Sequence, residues 1–206
     1  MRIGLTILIL ATTGLFSCKQ SGKSTSDTIG TETSDSVKEI QNKKTFNDKD
    51  IYTKYEYIDP DGKSLIIQNG FPRGGVKYTA SSGDNYNYAM FWTQITNETD
   101  SPLELQMNVP VDSYDVPSLP GKYYKVLIPA DTMTLEKFPL FTYSLKNLES
   151  FLDKSIHKSA SLRKTINPKE SNGFYFVILC LTEGAHGTMR TELSLKGQNI
   201  FYRIKK

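Results

Sequence analysis

Two cysteines and two histidines are the side chains in this sequence with the widest chemical range. The cysteines are Cys18 and Cys180, and the histidines are His157 and His186. Neither histidine belongs to an HxxxH pair or lies beside a cysteine, so the spacing does not indicate a zinc site. A Ser–His–Asp triad stays open because its members meet only in space, but no Gly-x-Ser-x-Gly motif supports one. We therefore predict no catalytic residue, no metal and no cofactor, and we expect both histidines in solvated loops.

Asp59-Pro60-Asp61-Gly62 is the stretch that comes nearest to a calcium loop, because it has carboxylates at alternate positions. A calcium loop also needs a third ligand, a glycine at a fixed position and a distal glutamate, and these are missing here. Proline followed by Asp-Gly strongly favours a turn, and these residues separate two apolar runs. We predict a plain turn between two strands.

The N-terminus has the organisation of a secretory signal peptide. Arg2 supplies one positive charge, and an apolar run extends from Ile3 to Phe16 and ends beside the small residue Ser17. The run is shorter than the roughly 20 residues that cross a bilayer as a helix. We therefore assign residues 1–17 to a signal peptide rather than to a transmembrane helix.

The end of the signal peptide indicates how it is processed. Leu15-Phe16-Ser17-Cys18 resembles the lipobox of bacterial lipoproteins, with an aliphatic residue three positions before a cysteine and a small residue just before it. The resemblance implies that Cys18 receives a diacylglyceryl group, that the signal is removed before it, and that the new amine is acylated. An ordinary cleaved signal is the alternative. We expect the lipid on Cys18 to make the membrane a partner of this protein.

Resemblance to Gram-negative lipoproteins also bears on location. Lys19, not aspartate, follows the cysteine, which favours the outer membrane over the inner one. Some Bacteroidetes-type surface lipoproteins carry an acidic cluster directly after the cysteine, and Cys-Lys-Gln-Ser-Gly-Lys lacks it. We expect a cell-envelope lipoprotein of the outer membrane that faces the periplasm.

Residues 18–50 are predicted to form a lipidated cysteine followed by a flexible tether, with docking of Ile40 to Phe46 on the domain as the alternative for its last part. The segment is rich in Ser, Thr, Lys, Asp and Glu, and Phe46 is its one aromatic residue, so it buries too little apolar area to offset its ordering entropy. Asp27-Thr28-Ile29 and Asp35-Ser36-Val37 resemble the acceptor triplets of O-glycosylated Bacteroidetes-type envelope proteins, which implies possible glycans on Thr28 and Ser36. Chance occurrence is the alternative. Asn97-Glu98-Thr99 matches a sequon of the eukaryotic type, but beside a lipobox we predict a turn there.

Charge and cysteine count exclude some partners. Residues 1–17 contribute only Arg2 to the charged set, which leaves a net charge of +2 and no dense basic block. We therefore predict no nucleic-acid partner. If Cys18 carries lipid, Cys180 has no partner for a disulfide within the chain. Because it lies within the apolar run Phe174 to Leu181, we predict a buried apolar role rather than a catalytic thiol.

Residues 51–206 are predicted to form one domain with a strand-like pattern almost throughout. Apolar and polar residues alternate in 103–109 and 189–196, which is typical of strands with one buried face. In the second of these stretches Arg190, Glu192 and Lys196 form the polar side. Residues 89–97 offer apolar side chains to both sides, and Phe174 to Leu181 shows no alternation, so we expect both faces covered there.

The fold class we predict is mainly β, an antiparallel β-sandwich, with a β-barrel as the alternative architecture. Short strands separated by Pro/Gly turns favour the sandwich. Phe91 to Leu105 resembles strand-turn-strand segments of immunoglobulin-like domains at the level of pattern only, and the Cys…Trp…Cys signature is absent. One short helix is expected near 144–154, with Ser144 as N-cap and Leu148 and Leu152 on its apolar stripe.

Tyrosines in two predicted loops are the candidate ligand surface. Tyr86 and Tyr88 follow a polar loop, and Tyr123 and Tyr124 follow a proline-rich bend. Tyrosine combines a flat apolar face with a hydroxyl at low entropic cost, which suits glycan or protein surfaces. The simpler interpretation, which we favour, is that these rings pack beneath the loops.

Three functions are consistent with the sequence. The first is a non-enzymatic, lipid-anchored binding or accessory module of the envelope, with a glycan or an envelope protein as partner. The second is a scaffold or assembly factor that docks on another envelope protein through an exposed strand or an apolar patch, such as one bearing Trp92. The third is a hydrolase with a dispersed site.

Overall fold

The structure is a computed structural model that describes residues 46–140, 143 and 145–205. The predicted signal peptide, Cys18, Thr28, Ser36 and the predicted N-cap Ser144 lie outside the described residues. In the described part of the chain, no helix is long and apolar enough to cross a membrane.

Eleven strands, one α-helix and three 3₁₀ helices, at Asp48–Asp50, Leu135–Lys137 and Thr182–Gly184, make up the regular structure of the described residues. The strands are β1 (Ile51–Ile58), β2 (Ser64–Gly70), β3 (Arg73–Thr79), β4 (Asn85–Asn97), β5 (Leu103–Val109), β6 (Tyr114–Asp115), β7 (Tyr123–Leu127), β8 (Ala160–Ile166), β9 (Glu170–Leu181), β10 (Arg190–Lys196) and β11 (Asn199–Lys205). The helix α1 is Leu148–Ser155. The protein is mainly β, as the sequence predicts.

A seven-stranded antiparallel sheet is the central layer. Its order is β1-β2-β4-β9-β7-β6, and β3 pairs with β4 beside β2. Strand β4 is long enough to pair with β2 through its second half and with β3 through its first half. Its other edge pairs along the full length with β9, from Tyr86 opposite Leu181 to Asn97 opposite Glu170. The apolar run Phe174 to Leu181 therefore lies in the middle of the sheet, as predicted for a run without alternation.

Side-chain alternation along β4 divides the interior into two cores. Phe91 and Ile95 point into one cluster, which we call the front core, and Met90 and Trp92 point into the other, the back core. All four side chains are at most 1% exposed. The prediction that both faces of this strand are covered is confirmed.

Two pairs of strands cover the front core and complete the sandwich. Strands β5 and β8 pair antiparallel, as do β10 and β11. Strand β5 buries Leu105, Met107 and Val109 and exposes the polar residues between them. This period of two is the pattern that predicts the strand from sequence. The antiparallel β-sandwich is thus confirmed.

Helix α1 and the segments around it cover the back core. The helix buries Leu148 and Leu152, as predicted. It begins at Leu148, with Asn147 in the N-cap position, so it starts later than a helix capped by Ser144. Phe46 also enters the back core, where its ring stacks on Trp92 with 4.0 Å between the centroids. The packed unit therefore includes residues before 51, which the sequence pattern assigns to the tether.

On β10 the alternating pattern predicts an exposed polar side, and this is wrong for Glu192. Glu192 is only 1% exposed, because β1 lies over it as well as β11. Its carboxylate accepts hydrogen bonds from the Tyr55 hydroxyl at 3.0 Å, Arg203 at 3.0 Å and Lys205 at 2.9 Å. Burial acts to raise the pKa of Glu192, but the hydrogen bonds from Lys205, Arg203 and Tyr55 outweigh it and lower the pKa. A buried carboxylate is tolerated here because it is fully paired.

Candidate functional site

A cavity of about 330 Å³ lies at one end of the sandwich. Its walls come from β3, β4, β7 and β9 and from the loop 184–189 between β9 and β10. The lining residues are Pro72, Gly74, Gly75, Asn87, Tyr88, Ala89, Tyr124, Ile178, Cys180, Gly184, Ala185, His186, Gly187, Thr188 and Met189. A volume of this size falls in the lower range of small-molecule pockets.

The register of the central sheet explains why these side chains meet. Asn87 pairs with Cys180, and Ala89 pairs with Ile178, so all four side chains project from the front face. On the next strand Lys125 pairs with Leu179, which places Tyr124 beside Cys180 on the same face. The two strand pairs that cover the front core do not line this end of the sheet. The loop after β9 covers it instead.

Two glycines allow the walls to approach closely. A Cβ atom at Gly74 would lie 2.5 Å from the carbonyl oxygen of Tyr88, and φ at Gly74 is +147°. This glycine sits at the point where the register between β3 and β4 shifts. A Cβ atom at Gly184 would lie 2.7 Å from Leu119 Cδ1, so the loop after β9 packs directly on the 116–119 turn.

Hydrogen bonds fix the covering loop. The backbone N–H of Ala185 donates to the carbonyl of Thr182 at 3.3 Å, and that of His186 donates to Gly184 at 3.0 Å. The Ser118 hydroxyl donates to the carbonyl of Gly184 at 3.4 Å. These bonds tie the loop to itself and to the turn before β7, so the cavity is held open by the fold.

Tyr124 lines the cavity, but its hydroxyl lies beneath the surface, out of reach of a water-sized molecule. Its side chain is 4% exposed, and its hydroxyl has no hydrogen-bond partner among the described residues. Burial, with a smaller contribution from the neighbouring Cys180, raises the pKa of Tyr124 to about 12. The hydroxyl is therefore a neutral donor at ordinary pH. A buried hydroxyl without a partner costs about 1–3 kcal/mol, and in native proteins such a group calls for an explanation.

The rest of the lining is apolar or neutral. Ala89, Ile178 and Met189 supply aliphatic surface, and Asn87 and Thr188 supply an amide and a hydroxyl. Neither Asp, Glu, Lys nor Arg is among the described residues that line the cavity. The arrangement can hold an uncharged molecule that has both apolar and polar groups.

The four tyrosines of the predicted ligand surface lie in different parts of the structure. Tyr86 and Tyr88 are buried in the back core, and Tyr88 also lines the cavity; Tyr124 is buried on the front side. Tyr123 is half-buried and does not line the cavity. The rings thus pack within the domain, which agrees with the simpler interpretation of the sequence, and one hydroxyl is left without a partner inside.

Both histidines are exposed to solvent, as expected for loop residues. His186 is exposed and stands on the rim of the cavity, whose described lining contains no carboxylate. His157 is exposed just after α1 and is not a lining residue. Among the described residues, no group of three or more His, Cys, Asp or Glu side chains could hold a metal ion. Cys180 is 2% exposed, so the prediction of a buried cysteine is confirmed.

Sequence reasoning missed the rim of the cavity. Nothing in the sequence assigned Gly74 or Gly184 to a site, although glycine within a strand often marks close approach of another backbone. His186 was predicted only as a residue of a solvated loop. No protein-family model, no curated protein and no solved structure matches this chain.

Proposed function

We propose that this protein is a lipid-anchored component of the bacterial cell envelope whose β-sandwich is a non-enzymatic binding or accessory module. The anchor is the lipid on Cys18, which the lipobox resemblance implies, and the location is the outer membrane on its periplasmic side. The near-neutral charge suits a partner other than nucleic acid.

The preformed cavity at the end of the sandwich is the observation that carries the binding role. Hydrogen bonds within the loop after β9 and from Ser118 hold its cover in place, so the concave surface exists before a ligand arrives. The cavity is also the kind of concave, mostly apolar site in which small molecules bind.

The experiment that tests this proposal is purification of the lipidated protein from its own membrane, followed by mass spectrometry of everything that co-purifies. We expect a small molecule or an envelope protein that is enriched over an unrelated lipoprotein purified in parallel. If neither is enriched, the binding proposal fails.

A scaffold or assembly factor is the second candidate function, and one surface feature favours it. Phe71 and Leu140 are large apolar residues that are 39% and 49% exposed. Their segments lie together, because Arg73 donates to the carbonyl of Leu140 at 2.6 Å and the Tyr143 hydroxyl donates to that of Phe71 at 3.3 Å. Exposed apolar side chains on two neighbouring segments suit a protein contact.

Trp92 does not belong to such a surface. It is 1% exposed, so the expectation that an apolar patch bears it is wrong. The reason is that Phe46 and Phe138 both pack on the indole ring and cover it. A variant with Phe71→Ser and Leu140→Ser tests the surface that remains. Loss of a co-purifying protein from this variant, with Tyr124→Phe unchanged, would support the scaffold over the small-molecule role.

A further inference from the structure

We infer that this protein forms a symmetric dimer, in which two copies of the chain pair their β1 strands antiparallel about a two-fold axis at Tyr55. The inference goes beyond the proposed function and does not depend on it. It follows from the position of β1 at the end of the central sheet, from the direction of its backbone groups, and from the order of its charged side chains.

Strand β1 is the edge of the central sheet that is left open. Among the described residues its one neighbour is β2. The opposite end of the sheet is β6, which has two residues, and the outer edge of β3 is interrupted where the register shifts between Gly74 and Val76. Short strands and bulges protect sheet edges from further pairing. Strand β1 has eight residues, and its own shift lies at its start, between Ile51 and Thr53, so residues 53–58 form a regular edge.

The backbone of β1 presents hydrogen-bonding groups at this edge. Successive residues of an antiparallel strand direct their N–H and C=O groups alternately toward and away from the neighbouring strand. The N–H of Asp59 donates to the carbonyl of Lys63 at 2.9 Å, so the odd-numbered residues of this stretch face β2. Lys54, Glu56 and Ile58 therefore direct their backbone groups outward, and none of these groups has a backbone partner among the described residues. Such a row is a template for a further strand.

A second copy of β1 fits this template in one preferred register. Outward-facing residues must lie opposite outward-facing residues, so the two-fold axis passes through a residue, and axes at Lys54 or at Tyr55 give the longest overlap of the two strands. With the axis at Lys54, this lysine lies opposite its own copy, and like charges that face each other destabilise a sheet. With the axis at Tyr55, Lys54 lies opposite Glu56 of the second copy, and the symmetry repeats this pair.

The side chains at this edge have no competing ion pair. Lys54 and Glu56 are both exposed, and the ion pairs of the described residues involve neither of them. The Glu56 carboxylate accepts a hydrogen bond from the Ser64 hydroxyl at 2.6 Å, which leaves its charge without a cation. Opposite charges at facing positions stabilise paired strands. Ile58, which is 69% exposed, would lie opposite Tyr52 of the second copy and lose part of its contact with water.

Sedimentation equilibrium of the full mature protein, purified in a density-matched detergent with micelles in excess, measures the dimer affinity. We expect reversible dimerisation of the wild type. Lys54→Glu makes the charges of the edge acidic and Glu56→Lys makes them basic, so each should weaken dimerisation by about tenfold or more, because both symmetric pairs become like-charged. Arg163→Glu, on the exposed side of β8, is the control with the same change in net charge as Lys54→Glu, and it should dimerise like the wild type.

Two combinations test the register. The double variant Lys54→Glu/Glu56→Lys exchanges the two charges and should dimerise like the wild type, because each facing pair is again of opposite sign. An equimolar mixture of the two single variants should form heterodimers for the same reason. With the axis at Lys54, the double variant would still place like charges opposite each other, and it would gain nothing over the wild type.

The inference is wrong if the wild type stays monomeric up to about 100 µM, or if the single variants dimerise as tightly as it does. Loss of the dimer in both single variants that neither the mixture nor the double variant reverses would overturn it as well. Heterodimer formation shows in the same experiment that both single variants are folded. Failure of the dimer would leave the proposed binding function unaffected, since the cavity lies on other strands.

Discussion

Buried tyrosines give this protein a specific response to alkaline pH. Burial disfavours the phenolate and raises the pKa of Tyr114, Tyr124 and Tyr143 to about 12. In the unfolded chain the same groups ionise near pH 10, so between pH 10 and 12 the folded state binds more protons than the unfolded state. The free energy of unfolding must therefore fall as the pH rises through this window, while below pH 10 the contribution is fully present.

Denaturant unfolding at a series of pH values measures this dependence directly. In Tyr124→Phe the free energy of unfolding should fall less steeply above pH 10. The slope should decrease by the contribution of about one proton, because one group with a raised pKa is removed. Phenolate absorbance provides an independent check, since Tyr114, Tyr124 and Tyr143 should contribute to it only near pH 12 or when the protein unfolds. If the free energy of unfolding of Tyr124→Phe falls with pH as steeply as that of the wild type, burial does not raise the pKa of the Tyr124 hydroxyl.

Asn69 is one of the residues that tie the two layers of the sandwich together through hydrogen bonds. It is 1% exposed on β2, and its amide exchanges two bonds with the backbone of Leu193 on β10, at 3.0 and 2.8 Å. It also donates to Thr53 at 3.0 Å and accepts from Thr93 at 2.8 Å. All the polar atoms of its side chain are thus used within the core.

We predict that Asn69→Ala lowers the free energy of unfolding by about 3 kcal/mol, because it leaves a buried backbone N–H and a hydroxyl without partners. Denaturant unfolding measures the loss. Asn108→Ala is the matched control on the exposed side of β5, and it should change stability by less than about 0.5 kcal/mol. Equal effects of the two substitutions would mean that Asn69 does not hold the layers together.

Elements with one clear periodicity were predictable from the sequence, and those that depend on tertiary cover were not. The alternation of β5 and the two-sided apolar pattern of β4 correspond directly to their burial. The turn at Asp59 was predictable as well, because its carboxylate accepts from the backbone N–H groups of Asp61 and Lys63. Glu192 was not, since its burial depends on three partners from β1 and β11.

The candidate site, too, was predictable from the sequence only in part. The sequence singled out Tyr124 and Cys180, but nothing local indicates that β7 places them side by side. The cavity arises where the covering strand pairs end and a loop takes over, and this is a property of the assembled layers. Loop residues such as Met189 therefore could not be recognised as part of a site from their neighbours in sequence.

At the scale of elements, the junction of β3 and β4 depends on one glycine. Gly74 and Gly75 both have positive φ, at +147° and +77°, but only a Cβ at Gly74 meets other atoms within 4 Å. Both alanine variants must adopt a backbone conformation that L-residues disfavour, which lowers the free energy of unfolding by about 1–3 kcal/mol. Gly74→Ala must in addition push β3 away from the backbone of Tyr88 and Ala89.

We predict that Gly74→Ala is less stable than Gly75→Ala by about 1–3 kcal/mol, which is the typical cost of overpacking. Thermal or denaturant unfolding of the two variants gives the difference, and the shared positive φ makes Gly75→Ala the control. The Gly74 variant should also disturb the cavity, because Gly74 lines it. If the two variants are equally stable, the close approach of β3 to β4 is not maintained in solution.

At the scale of the whole molecule, the length of the segment between Cys18 and the domain decides how far the domain stands from the proposed lipid anchor. The packed unit extends back to at least Phe46, whose ring stacks on Trp92, so the segment between Cys18 and the domain is shorter than the composition alone indicates. Even so, more than twenty residues separate Cys18 from Phe46. The tether that the composition predicts would span about 25–30 Å as a flexible coil, enough for the domain to stand clear of the lipid headgroups.

Membrane retention is therefore predicted to depend on Cys18 alone. Each buried methylene contributes about 0.8 kcal/mol, and one acyl chain binds a bilayer only marginally, whereas two or more hold stably. Cys18→Ala removes the site of the lipid, so the mature-size protein should disappear from the washed membrane fraction, and intact-mass analysis should show no acyl chains. Cys180→Ala is the matched control, because Cys180 is buried in the sandwich; that variant should stay lipidated and membrane-bound. If mature-size Cys18→Ala protein still sediments with membranes through a salt wash, the domain itself must contact the bilayer, and the proposed anchor is wrong.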